Sequence, residues 1–221
     1  MIRCYFVRHG QTAWNEENRI QGHSDQPLNS IGIGQARRLG ARFASHHVAG
    51  IFTSHLVRSR ATAEAIAAPQ SAGQDGNGHG AAPVIETELA EMHLGAWEGL
   101  TPSEVDARFG NAYRRWRQEP SAVSIPDGET TAVFRARVRR IFGRLTGQMG
   151  QGEYVLVSHG GVIAAVLADL LGADYDHLLR RLRLDNAGVT AIELDAPVPH
   201  VLWVNSTAHL DPATLVPGSW F

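Results

Sequence analysis

Apolar and polar positions along the chain change their period at regular intervals. Runs with strand character occupy residues 2–7, 50–53, 154–158, 188–194 and 200–204, with a weaker one at 83–86. Between them apolar positions recur every three or four residues, the spacing of one helix face. "GIGQARRLGARFASHH" puts Ile33, Ala36, Leu39, Gly40 and Phe43 on such a face. "TTAVFRARVRRIFGRL" does the same with Val133, Phe134, Val138, Ile141, Phe142 and Leu145. "RSRATAEAIAA" is expected to stop at Pro69, since proline has no N–H to continue a helix. "GVIAAVLADLLG" is expected to close at Gly172. Strands alternating with helices predict an α/β fold: a three-layer sandwich with a largely parallel central sheet flanked by helices.

Two stretches depart from this alternation. Residues 69–83, "PQSAGQDGNGHGAAP", read as a polar, glycine-rich loop. Residues 99–130 bring in Trp, Arg and Pro, and read as a lobe covering an active site within one domain spanning 1–221.

Composition narrows the function. Of the 221 residues 43% are hydrophobic and 19% charged, the balance of a globular chain with a substantial core. A net charge of −2 gives no general attraction for nucleic acid or an anionic membrane, so any affinity for an anion must be local. The apolar runs are too short and interrupted to span a bilayer, and the chain opens on a strand pattern without signal-peptide character, so cytoplasmic residence is expected. Cys4 is the only cysteine, which excludes an internal disulfide and a cysteine-based zinc site. No cofactor and no metal are expected, and self-association into a homodimer stays open.

The chemistry concentrates where two strands end. "FVRHGQTAWN" and "VLVSHGGVIAA" share one arrangement, in which an apolar strand is followed by a histidine, His9 or His159, and then by glycine. Open α/β sheets bind ligands at the carboxyl ends of their strands. Gly160 and Gly161 lead into a helix whose unpaired N–H groups favour an anion, and Gly10 permits close backbone approach. Arg8 and Arg58 supply guanidinium forks that match phosphate oxygens. A neutral imidazole in such a pocket is able to attack phosphorus without a metal. His46, His47, His55, His177 and His200 read as surface or packing residues, Glu86, Glu88 and Glu98 as surface charges, and no paired zinc-ligand spacing occurs.

In order along the chain stand "RHGQTAWN", "RIQGHSDQPLNSIGIGQA", "TSHLVRSRATAEAI", "LAEMHLGAWEGLT", "PDGET" and "VSHGGVI". With these six elements the sequence resembles the histidine phosphatase superfamily, in its phosphoglycerate-mutase-like branch, over nearly its whole length. The resemblance implies a phosphoglycerate-mutase-like fold and a small phosphorylated metabolite as substrate. It also implies that His9 becomes phosphorylated. Arg8, Arg58 and His159 would grip the phosphoryl group, Asn15 would add a contact, and Glu91 would be the proton donor. The chemistry of the step casts His159 as protonated, and the helix start places Gly160 as a further substrate contact. His55 stands where relatives usually have proline and Ser59 where alanine is common, and neither is expected to touch the chemistry. The segment after Gly99 looks more like the phosphatases than the mutases, including phosphatases acting on glucosyl phosphoglycerate. A metal-independent phosphomonoesterase is therefore expected, with a 2,3-bisphosphoglycerate-dependent phosphoglycerate mutase and a non-catalytic phosphate-binding module as alternatives. In "NAYRRWRQEP", Arg114 and Arg117 share a helix face while Arg115 points elsewhere. This cluster is either a solvated basic face or a contact for a second anionic group on the substrate, with Trp116 packing the lobe down or stacking on a sugar.

Overall fold

The computed structural model of the protein describes residues 1–71, 82–194 and 198–215. Strand β1 (Ile2–Arg8) leads through a short helix α1 (Ala13–Glu16) to α2 (Ser30–Phe43), followed by β2 (Val48–Thr53), α3 (Val57–Ser71) and β3 (Val84–Ile85). Helices α4 (Pro102–Arg108) and α5 (Ala112–Gln118) precede the long α6 (Thr131–Gln148) and β4 (Gly152–Ser158). Helices α7 (Gly160–Leu170) and α8 (Tyr175–Leu179) and strands β5 (Val189–Glu193) and β6 (His200–Ser206) complete the order. Most of the glycine-rich connector read as a loop, residues 72–81, lies outside the described residues.

The strands form one six-stranded mixed sheet in the order β3-β2-β4-β1-β5-β6. The half from β3 to β1 is parallel, whereas β5 and β6 run antiparallel at the other edge. The pleat sorts β1 between two cores. Cys4 and Phe6 join α6 and α7 on one face through Phe134, Val138 and Val162, and Tyr5 and Val7 join α2 and α3 on the other through Leu39, Phe43 and Ile66. This is the expected three-layer sandwich. Helix α7 is buried on all sides, as its unbroken apolar sequence demands, and Gly172 at φ +59° follows its end as expected. Among the described residues no helix is long and apolar enough to cross a membrane.

Three local expectations are corrected. Ile33 is 44% exposed, because the buried stripe of α2 runs through Gly32, Gln35, Ala36, Leu39, Gly40 and Phe43. Gln35 belongs inside because its side-chain oxygen accepts the Gln11 N–H at 2.9 Å. Val133 is likewise 59% exposed, one position off the buried row Phe134, Val138, Ile141 and Leu145, while Phe142 packs half-buried on Phe6. Helix α3 does not stop at Pro69 but ends at Ser71. In the last turn, proline forfeits only the bond back to the Ala65 carbonyl. Helix α2 brings Gly40 against that carbonyl, where a Cβ would collide.

Candidate active site

The register of the two central parallel strands builds the site. Arg8 is paired with Ser158, so His9 and His159 leave the sheet side by side, and the His9 N–H donates to the Ser158 carbonyl at 3.0 Å. Their rings lie 5.1 Å apart between centroids, and both residues are buried. The chain from β1 continues to α2 on one face and the chain from β4 to α7 on the other, which opens a crevice between adjacent strand ends.

The backbone fixes the tautomer of His9. A carbonyl can only accept, so the 2.8 Å contact between His9 Nδ1 and its neighbour's carbonyl, Gly10 O, puts the proton on Nδ1. The Nε2 lone pair is left facing the guanidinium of Arg58, whose Nε donates to it at 3.2 Å. Arg58 is itself aimed by the loop after α1, donating to Ser24 O at 2.9 Å and Gly22 O at 2.8 Å. Arg8 is fully buried and donates to the Leu184 carbonyl. Burial lowers both arginines to about 10, so both stay charged at neutral pH.

Burial first, and that density of positive charge second, decide the state of the imidazoles. Burial, then Arg58 and Arg8, push His9 well below its ordinary value. His159 is pushed well below it too, by burial first and then by Arg58, His9 and Arg8. Without an anion between the two rings His159 is thus held toward its neutral form, and the protonated His159 expected from the sequence concerns the pocket with a phosphoryl group bound. Its Nε2 meets Ser54 Oγ at 2.8 Å, while its Nδ1 is buried with no protein partner among the described residues.

Glu91 faces this group from the α6–α7 side of the sheet. Its two oxygens accept the Met92 N–H at 2.9 Å and the Gly161 N–H of α7 at 3.1 Å. Burial raises its carboxyl, and these two N–H groups with Arg8 and Arg58 oppose that without cancelling it. The fit is close enough that a Cβ on Gly161 would collide with the carboxylate. Gly160 opens α7 directly after His159. Asn15 sits in the capping box of α1, where its side-chain oxygen accepts from Thr12 and from Asn186 Nδ2, each at 3.1 Å. Asn186 also donates to the His9 carbonyl. All seven residues singled out in the sequence thus belong to one buried neighbourhood.

Sequence reasoning missed others. Ser54 ends its strand as His9 and His159 end theirs, and a hydroxyl there was a readable signal. Gln21 is buried beside Thr12, which donates to its side-chain oxygen at 3.0 Å, and its amide nitrogen has no protein partner among the described residues. Glu98 is not a plain surface charge: it accepts from the backbone N–H groups of His23 and Leu94 and from Ser24 Oγ, holding the loop that aims Arg58. Ser59 stays out of the pocket, bonding Thr53 Oγ1 and the Val157 carbonyl. Among the described residues no cluster of three or more His, Cys, Asp or Glu side chains is arranged to hold a metal.

The lobe of residues 99–130 is stitched to the pocket loop: Gly99 N donates to Ile20 O at 2.8 Å and Ile20 N to Leu100 O at 2.9 Å. Trp116 is buried and meets Trp97 edge-to-face at 6.3 Å, so it packs the lobe down and is not an exposed stacking surface. The Arg114 side chain is 73% exposed beside Asp106.

Two histidines, two buried arginines and a buried carboxyl around one crevice suit a phosphoryl group. The chain belongs to the histidine phosphatase superfamily (branch 1), whose sequence profile matches residues 4–207. It is 32% identical, over 96% of both chains, to a Yersinia enterocolitica protein named "Probable phosphoglycerate mutase GpmB". Bacillus stearothermophilus YhfR has the same fold with a TM-score of 0.84 and 30% identity, over 95% of this chain and 99% of that one. A mycobacterial glucosyl-3-phosphoglycerate phosphatase, solved in complex with VO3, matches with a TM-score of 0.80 and 28% identity over 92% and 99%.

Proposed function

We propose that this protein is a metal-independent phosphomonoesterase that hydrolyses small phosphorylated metabolites through a phosphohistidine on His9. The observation that carries this reading is the Nδ1–H of His9 bonded to Gly10 O, which leaves an Nε2 lone pair in a buried, cationic pocket. In the first step Nε2 attacks phosphorus, the P–O bond to the leaving group breaks, and Glu91 gives its proton to the departing alkoxide. Arg8, Arg58 and the His159–Ser54 pair meet the charge on the equatorial oxygens, with Asn15 and Gly160 as further contacts. Two charged guanidiniums supply what a divalent ion would supply elsewhere. In the second step Glu91, now a carboxylate, takes a proton from water as its oxygen attacks phosphorus. The P–N bond breaks, returning His9 and releasing phosphate. The lobe of residues 99–130 covers the mouth of the pocket during this cycle.

The mutase reading keeps a claim through the Yersinia relative's printed name. The two differ only in what accepts the phosphoryl group from His9. The deciding experiment supplies 3-phosphoglycerate, primed with 2,3-bisphosphoglycerate, in EDTA. Net phosphate release without 2-phosphoglycerate supports the phosphatase. Fast interconversion with little phosphate release assigns the mutase, and activity restored only by added zinc or magnesium contradicts both.

A further inference from the structure

The segment that carries Glu91 lies outside the sheet. It leaves the 3-10 turn Thr87–Leu89 with Ala90 extended and belongs to no strand from Ala90 to Leu94, so no neighbouring strand receives its carbonyls. Side chains do so instead. Arg137 of α6 donates through Nη1 to Glu88 O at 2.7 Å and Ala90 O at 2.8 Å, and through Nη2 to Glu91 O at 3.1 Å. Ser158 Oγ donates to the intervening Leu89 O at 2.7 Å, and His23 Nε2 meets Glu91 O at 2.8 Å. The remaining Arg137 donors grip Glu129 at 3.0 and 2.7 Å, so all five guanidinium N–H bonds are used. Both side chains are mostly buried, at 14% and 11% exposed. Four consecutive carbonyls are thus held by side chains, and three of them by one guanidinium.

We infer that Arg137, braced by Glu129, is a positioning residue for Glu91, taking the place of the β-ladder that this segment lacks. Arg137 hydrogen-bonds the backbone on which the carboxyl stands and acts on the reaction through it; the inference rests on Glu91 being the acid. Lysine cannot replace it, because a point ammonium with three donors cannot span three carbonyls and a carboxylate. Positioning of this kind shows in the step that needs the proton and not in phosphate binding.

The test compares Arg137→Lys and the charge-neutral double variant Arg137→Met with Glu129→Gln against Glu91→Gln. Each is assayed with glycerol phosphate, which needs a proton on its leaving group, and with nitrophenyl phosphate, which hardly does. In Arg137→Lys, kcat on glycerol phosphate is expected to fall about 100-fold, the cost of a misplaced group of this kind, with KM nearly unchanged. The nitrophenyl rate should fall far less, and Arg137→Lys added to Glu91→Gln should cost little more on glycerol phosphate. Equal losses on both substrates, or full additivity with Glu91→Gln, overturn the positioning role. So does loss of the fold in both Arg137 variants, which would make the residue structural. If Glu91→Gln itself shows no leaving-group dependence, the acid assignment has failed and this inference falls with it. If only the Arg137 variants lack that dependence, the acid assignment stands alone.

Discussion

His9 and Glu91 stand on backbones of opposite kinds. His9 follows a strand paired on both sides, with β4 and β5, and its own N–H and carbonyl are both bonded, to Ser158 O and to Asn186 and Ala187. Glu91 follows a 3-10 turn outside the sheet, and its place depends on Arg137, Ser158, His23 and the close approach of Gly161. A ladder shares positional precision among many backbone bonds, none of which is a side chain. A clamp places it in two or three side chains, each open to loss by substitution. The half of the site that carries the proposed nucleophile should therefore tolerate changes in its surroundings, and the half that carries the proposed acid should not.

The largest effect expected is at the nucleophile itself. His9→Ala should reduce turnover roughly 1,000-fold or more while leaving circular dichroism and melting unchanged, since the ladder and not the imidazole holds the strand end. Brief exposure of the wild-type protein to substrate should leave an acid-labile, base-stable phosphoryl group on His9, located by mass spectrometry. Substantial activity in His9→Ala would remove the histidine from the chemistry.

At the acid, Glu91→Gln should slow alkyl phosphates by about 100- to 10,000-fold, the range of general acid catalysis, and nitrophenyl phosphate far less. Gly161→Ala tests the same half without touching a titratable group. The new Cβ must displace the carboxylate, so it should reproduce the leaving-group signature of Glu91→Gln, weakened to about 10- to 100-fold. Equal slowing of both substrate types in Gly161→Ala would mean that the helix start, not the acid, was disturbed.

What the sequence made legible follows the same division. A strand followed by His-Gly is a local signal, so His9 and His159 were readable from residue order and the geometry of α/β sheets, and Arg8 and Arg58 from the donor chemistry of guanidinium. Glu91 came only from family resemblance, because nothing within "LAEMHLG" reveals which carboxylate is buried. Its supports were invisible for the same reason. The contacts of Ser54 with His159, Arg137 with Glu91 and His23 with Glu91 span 105, 46 and 68 residues of sequence. Apolar periodicity found the helices but misplaced Ile33 and Val133, because a buried stripe can admit a hydrogen-bonded glutamine in place of isoleucine. His159 is held below its ordinary value by burial first and then by cations that the fold assembles, neither of which a reading of single residues shows.

The two halves should also answer pH in opposite senses. His9 and His159 titrate below their ordinary range in the folded protein, so below about pH 6.5 the unfolded chain binds more protons than the native one. Their effect is absent above that value, and stability falls as pH drops, by up to about 1.4 kcal/mol per pH unit for each histidine. Glu91, raised by burial, works the other way: its contribution is present below the ordinary carboxyl range and is lost as pH rises through its folded value. Urea unfolding of the wild type and His159→Asn at pH 7 and 5.5 isolates the His159 part as the difference between the two proteins. His159→Asn should lose less stability between these pH values than the wild type; parallel losses would show that His159 titrates alike in the folded and unfolded chain, and a larger loss in the variant that it is already charged when folded.

The smallest effect bounds the site on its outer side. Arg114 projects from α5 with 73% of its side chain exposed, and its partner is Asp106 at 4.0 Å, a surface pair of little energetic weight. Arg114→Ala should change stability by less than about 0.5 kcal/mol. If the lobe serves only to cover the pocket, anchored by Trp116 against Trp97, the same substitution should leave kcat/KM unchanged for both phosphoglycerate and an uncharged phosphoester. The comparison discriminates because a lost charge-assisted hydrogen bond to a second anionic group would cost about 1.5–3 kcal/mol, roughly one to two decades in kcat/KM, on phosphoglycerate alone. A selective loss of that size would mean that α5 swings Arg114 inward when substrate binds, and the acid half of the site would then extend into the lobe.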